Sequence, residues 1–314
     1  MNHPNTIAAG RWHGAAELEF TARQGSTGEP PVTVHQGWAT SPLKLQRAYP
    51  QADGRCELPL LHTAGGLVGG DQLTLRAHLA PGSQALLTSV AAQKVYGTVG
   101  RSRLVPQGQW ARQSLHFSLE AGSDLEWLPQ ELVLFAGGLL EQNVTVELAA
   151  GASWLGMDVV RLGRSAAGET LGQGCWRSRL QVCRRGPEGR RWELVDPLEI
   201  SGASLAAEHG MAGQPVLGSL VWAAPQPLGA AALAQLLADC RSDREGLEGD
   251  MACGALDQGL IARYRGPSSQ AARFWFTRVW ARIRAARGLS APELPRVWPF
   301  QEQPWVQAER VKAP

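Results

Sequence analysis

The sequence has little lysine and little charge. Only Lys44, Lys94 and Lys312 are lysines among 30 basic residues, charged residues make up 18% of the chain, and the formal net charge is +2. Nucleic-acid binding normally requires a strong basic excess, so no nucleic-acid partner is expected. The arginine bias has two interpretations. One is the codon usage of a GC-rich genome, which we favour, and the other is arginine-rich contact surfaces.

Cysteine is scarce and unpatterned. The chain has five cysteines, and no two have C-x-x-C spacing, so reduced thiols are expected rather than a disulfide framework or a zinc site. The first ten residues do not resemble a secretion signal. No run of about 18 apolar residues is present. The sequence therefore predicts a cytoplasmic protein with no membrane partner.

Motifs of catalytic and nucleotide-binding sites are missing too. The nearest approach to a nucleophile elbow, which begins at Gly202, lacks the final glycine. No H-E-x-x-H motif occurs, and the seven histidines are scattered. The glycine-rich segment that ends at Asp71 has no Gly-Lys-Ser/Thr and precedes a strand-like run. It is interpreted as closely packed backbone that hydrogen-bonds the Asp71 carboxylate. We expect no catalytic residue, no enzymatic activity and no tightly bound cofactor.

Short apolar runs bounded by glycine and proline fill the first two-thirds of the chain. Their length and their flanking turns are typical of β-strands. The predicted strands cover residues 73–79, 85–90, 115–119, 125–128, 144–148, 154–162, 179–182 and 192–195.

A weak repeat links several of these strands. Segments 79–83, 119–123 and 148–152 each begin with leucine and carry glycine at the fourth position. The uneven spacing excludes a strict solenoid, and such a segment is also a common turn. The repeat nevertheless favours a mainly β fold, layered or helical but irregular, built of many short strands.

Helical periodicity is confined to the C-terminal half, where helices are predicted near 228–240 and 268–287. In the second helix, Trp275 and Trp280 lie on one apolar stripe, with Ser268 or Ser269 as N-cap and Gly288 at the end. The stripe fits packing on the β-core, and contact with a partner is the alternative. Residues 1–298 are predicted to form a single β-rich domain, followed by a flexible, proline-containing tail at 299–314.

Five sequence blocks carry a family resemblance. Residues 61–71 (LHTAGGLVGGD) are similar to L-H-P-P-G-G-[IL]-V-G-G-D, and residues 88–96 resemble a T-x-x-A-x-K-x-Y block. Residues 125–131 (LEWLPQE), 162–169 (LGR followed by GE) and 295–298 (PRVW) follow in order. Together they resemble the UreD (UreH) family of urease accessory proteins. The matching positions are His62, Gly65, Gly66, Gly69, Gly70, Lys94, Tyr96, Pro129, Gln130, Gly163, Arg164, Glu169, Arg296 and Trp298. The chain departs from the pattern at Thr63 and Ala64, where the family has two prolines, and in its extra tail.

The resemblance implies a function and a set of partners. A member of this family would be a non-catalytic, β-rich chaperone for nickel insertion into urease. Its partners would be the urease apoprotein subunits, UreF and, indirectly through UreF, the GTPase UreG. A dimer of the accessory complex is left open. The second helix is the element most expected to touch UreF.

The resemblance also implies that Ni²⁺ passes through an internal polar channel. A transit route must release what it accepts, so sparse carboxylates suit it better than thiolates. The candidates for lining this path are Asp71, Asp158, Asp196 and Gln93. Each has a structural alternative, such as a turn cap for Asp71 and an ordinary loop position for Asp196. Arg164 and Glu169 are expected to pair with each other or to face a partner.

Two other functions remain open at this point. One is a polysaccharide-active enzyme on a β-scaffold, for which the twelve tryptophans could stack on sugars. The other is a pure interaction scaffold without an ion path.

Overall fold

The computed structural model describes residues 12–24, 31–186, 189–299 and 302–305. Eighteen strands occur in this part of the chain. They are β1 (His13–Arg23), β2 (Val32–Ala39), β3 (Leu43–Leu45), β4 (Tyr49–Pro50), β5 (Cys56–His62), β6 (Gln72–Leu79), β7 (Gln84–Ser89), β8 (Gln93–Val95), β9 (Ala111–Leu119), β10 (Asp124–Leu128), β11 (Leu132–Leu134), β12 (Leu139–Leu148), β13 (Ser153–Leu162), β14 (Cys175–Gly186), β15 (Gly189–Ser201), β16 (Val216–Ala223), β17 (Asp250–Leu256) and β18 (Gly259–Gly266).

The strands form two mixed sheets that face each other. The seven-stranded sheet has the order β15-β14-β12-β9-β6-β1-β2, and the main path of the eleven-stranded sheet is β17-β18-β16-β13-β10-β7-β5-β3. From β5 to β14 the chain passes repeatedly from one sheet to the other, while β8 and β11 stay in the larger sheet with β7 and β10. Strands from successive passes of the chain therefore lie side by side and parallel within one sheet, as β6, β9 and β12 do. The mainly β, layered fold predicted from the sequence is confirmed.

The three repeated segments are the turns at which the chain crosses between the sheets. They stack on one another, because Gly82 N–H donates to Ala121 O at 3.0 Å and Gly122 N–H donates to Ala150 O at 3.4 Å. Gly82, Gly122 and Gly151 all have φ between +67° and +69°, a conformation that glycine adopts without strain. The weak sequence repeat is thus the signature of stacked layers.

Alternation along the strands sends apolar side chains to both faces of the eleven-stranded sheet. On β13, Trp154 and Val160 face the space between the sheets, whereas Leu155 and Val159 face the opposite side. Two separate apolar clusters fill the space between the sheets. A third lies on the outer face, beneath two helices.

Three helices are described, all in the C-terminal half: α1 (Gly202–Ala206), α2 (Ala230–Ser242) and α3 (Ser269–Ala286). The two longer ones confirm the predicted helices to within two residues at each end. Ser268 caps α3 by accepting the Ala271 N–H at 3.1 Å, and Gly288 follows its end with φ +69°.

The tryptophans of α3 have no surface to offer a partner. Trp275 is fully buried and Trp280 is 1% exposed. The Trp275 indole N–H donates to Cys240 O, and that of Trp280 donates to Glu126. Burial of so much aromatic area stabilises the helix on the sheet. This corrects the alternative in which these two residues contact a partner.

A buried charge network ties α3 to the sandwich. It consists of Asp53, Arg55, Asp124, Glu126, Arg284 and Arg287. Arg284 lies 3.0 Å from Glu126, and Arg55 lies 2.6 Å from Asp124. Burial pushes the pKa of Asp124 upward, but the Arg55 and Arg287 guanidiniums outweigh this effect and hold it at about 2.

Most of the predicted tail lies outside the described residues. The described part, residues 302–305, packs against α3, where Glu302 pairs with Arg273 and Pro304 O accepts from Arg278 at 2.7 Å. All five cysteine thiols are free. Among the residues described, no helix has the length and hydropathy needed to cross a bilayer.

Candidate functional site

The glycine-rich signature forms a tight loop against the segment around Tyr96. A Cβ on Gly66 would lie 2.6 Å from the Tyr96 ring, and one on Gly69 would lie 2.6 Å from Gln109 O. Asp71 closes the loop by accepting the Val68 N–H at 2.9 Å and the Trp12 N–H at 3.2 Å. The close backbone packing and the hydrogen-bonded Asp71 carboxylate agree with the local interpretation of the sequence.

Other motif blocks meet at the same end of the sandwich, which we call the motif end. The Arg164 guanidinium stacks 4.6 Å from the Phe135 ring centroid, and that ring meets Tyr96 edge-on at 5.1 Å. Arg164 also pairs with Glu169, whose carboxylate accepts the Ala136 N–H at 2.9 Å. The predicted Arg164–Glu169 pair is therefore present, and it fixes the Phe135 loop.

His62 connects two of the predicted path residues at the motif end. Its Nδ1 lies 3.3 Å from Gln93 Nε2, and its buried Nε2 has no hydrogen-bond partner among the described residues. Burial lowers the pKa of His62, and the charge of nearby Asp71 partly offsets that effect. We call Asp71, His62 and Gln93 the motif-end group, in which His62 contacts Gln93 directly and feels Asp71 only through its charge.

The remaining motif residues hold the chain ends in place. Trp298 Nε1 donates to Thr88 Oγ1 at 3.0 Å, and Arg296 N–H donates to Glu57 at 3.1 Å. Gln130 N–H donates to Ser89 Oγ at 2.9 Å, next to Pro129. These contacts join the C-terminal block to the outer face of β5, β7 and β10, away from the motif-end group.

A polar belt crosses the interior between the two apolar clusters. On the eleven-stranded sheet, Asp158 lies directly opposite Ser219, and Ser219 lies opposite Arg263. On the facing sheet, Gln142 donates to Gln113 at 3.3 Å. Arg263 pairs with Asp196 across the two sheets. We define the polar belt as Gln113, Gln142, Asp158, Asp196, Ser219 and Arg263.

Asp158 is the carboxyl group at the centre of the polar belt. Burial raises its pKa to about 7, and a hydrogen bond from Gln142 acts in the opposite direction. The Gln142 oxygen in turn accepts the Trp176 indole N–H at 3.1 Å. Asp158 therefore lies near its titration point at neutral pH, among groups that can donate to it or share a cation with it.

The structure separates the four predicted path residues into two places. Asp158 and Asp196 belong to the polar belt, whereas Asp71 and Gln93 belong to the motif-end group. Asp71 lies two residues from Leu73, which is opposite Gln113 of the belt. His62 lies two residues from Leu60, which is opposite Ser89. The motif-end group is thus the next polar level toward the motif end. Within the described ranges, no three His, Cys, Asp or Glu side chains are grouped closely enough to hold a metal ion.

Comparison with known proteins decides the family. The model of the family described as UreD urease accessory protein matches residues 13–299. The chain belongs to the UreD family. Its sequence is 62% identical over 296 residues to the urease accessory protein UreD of Synechococcus sp. (strain WH7805), covering 93% of this chain and 92% of that protein. It is 58% identical over 300 residues to the UreD of Prochlorococcus marinus (strain MIT 9313), covering 95% and 94% of the two chains.

Four polar-belt residues of this UreD-family chain were not identified from the sequence. They are Gln113, Gln142, Ser219 and Arg263. Gln113, Gln142 and Ser219 each occupy an inward position whose neighbouring inward positions are apolar, as Gln142 does between Leu140 and Val144. Arg263 lies between Ile261 and Arg265 on the same face of β18. A polar residue that interrupts the apolar face of a strand is the signal that could have revealed the first three.

The raised pKa of Asp158 predicts an unusual pH dependence of stability. In the unfolded chain this carboxyl loses its proton near pH 3.8, but in the folded chain it keeps the proton up to about pH 7. The folded state binds more protons in that window, so this contribution to stability is lost as pH rises through about 7. Asp158→Asn, which mimics the protonated form, should gain stability relative to wild type as pH rises. Urea unfolding of both proteins at several pH values tests this. A constant difference between the two proteins would contradict it.

Proposed function

We propose that this UreD-family chain is a non-catalytic scaffold in urease maturation. It binds apo-urease and UreF, reaches UreG through UreF, and passes Ni²⁺ toward the urease active site along the polar belt. One observation carries this proposal: a continuous row of polar side chains spans an interior that is apolar on both sides. Gln142 is buried, and the other five residues of the belt are half-buried. Polar groups held between two apolar clusters are costly, so a row of them suggests a function beyond packing.

The donors of the polar belt suit an ion in transit. Carboxylate, amide and hydroxyl groups bind a hydrated divalent cation weakly, whereas thiolates would retain it. The belt has Asp158 and Asp196 as its only anions, and one of them is paired with Arg263. Low net charge and few ligands favour release, which a conduit requires.

Exposed apolar side chains near the motif end support a scaffold role. Leu104 is 93% exposed, Trp12 51% and Val68 45%. Leu104 lies on the loop that leads to Gln109. Gln109 itself packs against Gly69. Large exposed apolar side chains of this kind are typical of protein-binding surfaces.

Co-purification with urease tests the scaffold role. Tagged urease subunits, expressed with this chain and UreF, are expected to retain the chain during capture. Leu104→Asp should reduce the retained chain by about tenfold, because it places a charge in an apolar contact. Val195→Asp is the matched control, because Val195 is 51% exposed and lies on β15 of the seven-stranded sheet. Absence of wild-type chain from the captured urease would overturn the proposal.

A further inference from the structure

The polar belt ends at the open edge of the sandwich, where one ion pair joins the sheets. Asp196 lies on β15, the edge strand of the seven-stranded sheet, opposite inward-facing Leu180. Arg263 lies on β18 of the other sheet and pairs with Asp196. The Arg263 side chain is 29% exposed, and that of Asp196 is 18% exposed.

A surface cleft lies immediately outside this pair. Arg263 forms part of its wall, together with Leu198, Leu217 and Tyr264. Leu198 and Leu217 also pack on the apolar cluster beside the belt. The Arg263–Asp196 pair therefore stands between solvent in the cleft and the interior row that leads through Ser219 to Asp158.

The charge of Arg263 makes this position unusual for a cation path. A guanidinium stays protonated at any physiological pH, and a fixed positive charge within a few ångströms repels a divalent cation strongly in a partly buried site. Pairing with Asp196 cancels that charge. A cation that reaches the pair competes with Arg263 for the Asp196 carboxylate, and the freed guanidinium can turn toward the solvent-filled cleft.

We propose that the Arg263–Asp196 ion pair is the gate of the polar belt at its cleft-side mouth. This inference rests on the proposed function, since it assumes that a divalent cation travels along the belt. Asp196 attracts the cation and Arg263 acts as the barrier that the carboxylate must neutralise. The balance of the two charges, rather than either residue alone, then determines passage.

A charge-balanced double variant tests the gate. Urease is co-expressed with the accessory proteins and with each variant of this chain, and its nickel is measured per active site. Asp196→Asn leaves Arg263 unpaired and should reduce the nickel content by about tenfold. Asp196→Asn combined with Arg263→Gln removes both charges and should restore loading to within about twofold of wild type. A merely structural pair predicts that the nickel lost with Asp196→Asn is matched by an equal loss of folded, co-purified chain, and that the double variant restores both together.

An ion pair away from the cleft provides the matched control. Arg185 lies 2.7 Å from Glu120, in the stacked turns and outside both the belt and the cleft, so Glu120→Gln should leave nickel loading unchanged. Co-purified chain is quantified for every variant, so that loss of folding is recognised. Normal loading with Asp196→Asn, or failure of the double variant to recover, would overturn the gate.

Asp158→Asn in the same series separates the claim of a gate from the claim that the belt is the path. Reduced loading with Asp158→Asn but no recovery in the double variant rejects the gate alone, whereas normal loading with Asp158→Asn rejects the belt as the path and the gate with it.

Discussion

Urease matured with the Asp158→Asn variant is expected to contain about tenfold less nickel than urease matured with the wild-type chain, the scale on which loss of one polar contact weakens a metal site. Asparagine keeps the shape and one oxygen of the side chain but removes the only anion at the centre of the polar belt. A divalent cation between Gln142 and Ser219 then has no charge to offset its desolvation. Nickel per active site, measured on purified urease, gives the result.

The stability of the same variant distinguishes this effect from misfolding. Because burial raises the pKa of Asp158 to about 7, removal of its charge should stabilise the folded chain above that pH. A variant that is more stable yet delivers less nickel has lost a function rather than its fold. Glu141→Gln, on the exposed face of β12, is the control and should load urease normally. Full loading with Asp158→Asn would remove Asp158 from the path.

Replacement of Glu126 by alanine is expected to destabilise the chain by about 3–5 kcal/mol, the cost of breaking a buried ion pair. Glu126 is 1% exposed and accepts from Trp280 at 2.8 Å and from Arg284 at 3.0 Å. Its removal takes a carboxylate away from two buried guanidiniums, Arg284 and Arg55, and leaves the Trp280 indole N–H without its acceptor. Chemical denaturation at pH 7 measures the change in the free energy of unfolding.

An exposed pair of the same chemistry shows what burial contributes. Arg177 and Glu199 lie 2.7 Å apart, but both side chains are more than half exposed. Glu199→Ala should therefore cost far less stability than Glu126→Ala, because solvent screens the exposed pair. Equal losses for Glu199→Ala and Glu126→Ala would mean that the buried charge network does not anchor α3 as described.

The strands with long apolar runs could be predicted from the sequence, and all eight predicted strands are present. The sequence did not predict β1 to β5, β8 or β11. β1 nevertheless alternates inward Ala16, Leu18 and Phe20 with outward Glu17 and Glu19, a period of two that is typical of a half-buried strand. β16 to β18 were missed because β16 carries apolar side chains on both faces, a pattern that alternation alone does not distinguish from a buried helix.

The motif residues could be found from the sequence, but their contacts could not. Asp158 and Asp196 were singled out as isolated carboxylates, and the partner of Asp196 was not. Arg263 is 67 residues away from Asp196 along the chain and meets it only because β15 and β18 lie at the same edge of the two sheets.

Seven of the twelve tryptophans are buried in the core. Helical periodicity predicts the burial of those on α3, but nothing in the sequence predicts the burial of Trp176 or Trp222. The polysaccharide-active enzyme, which would stack sugars on its tryptophans, loses most of its candidate residues for this reason.

The most direct test of the proposed role is the nickel content of urease produced with and without this chain, with all other accessory proteins present. The account predicts that urease assembles in both cases but is nickel-poor and inactive without the chain. Urease that is fully loaded in its absence would contradict the account.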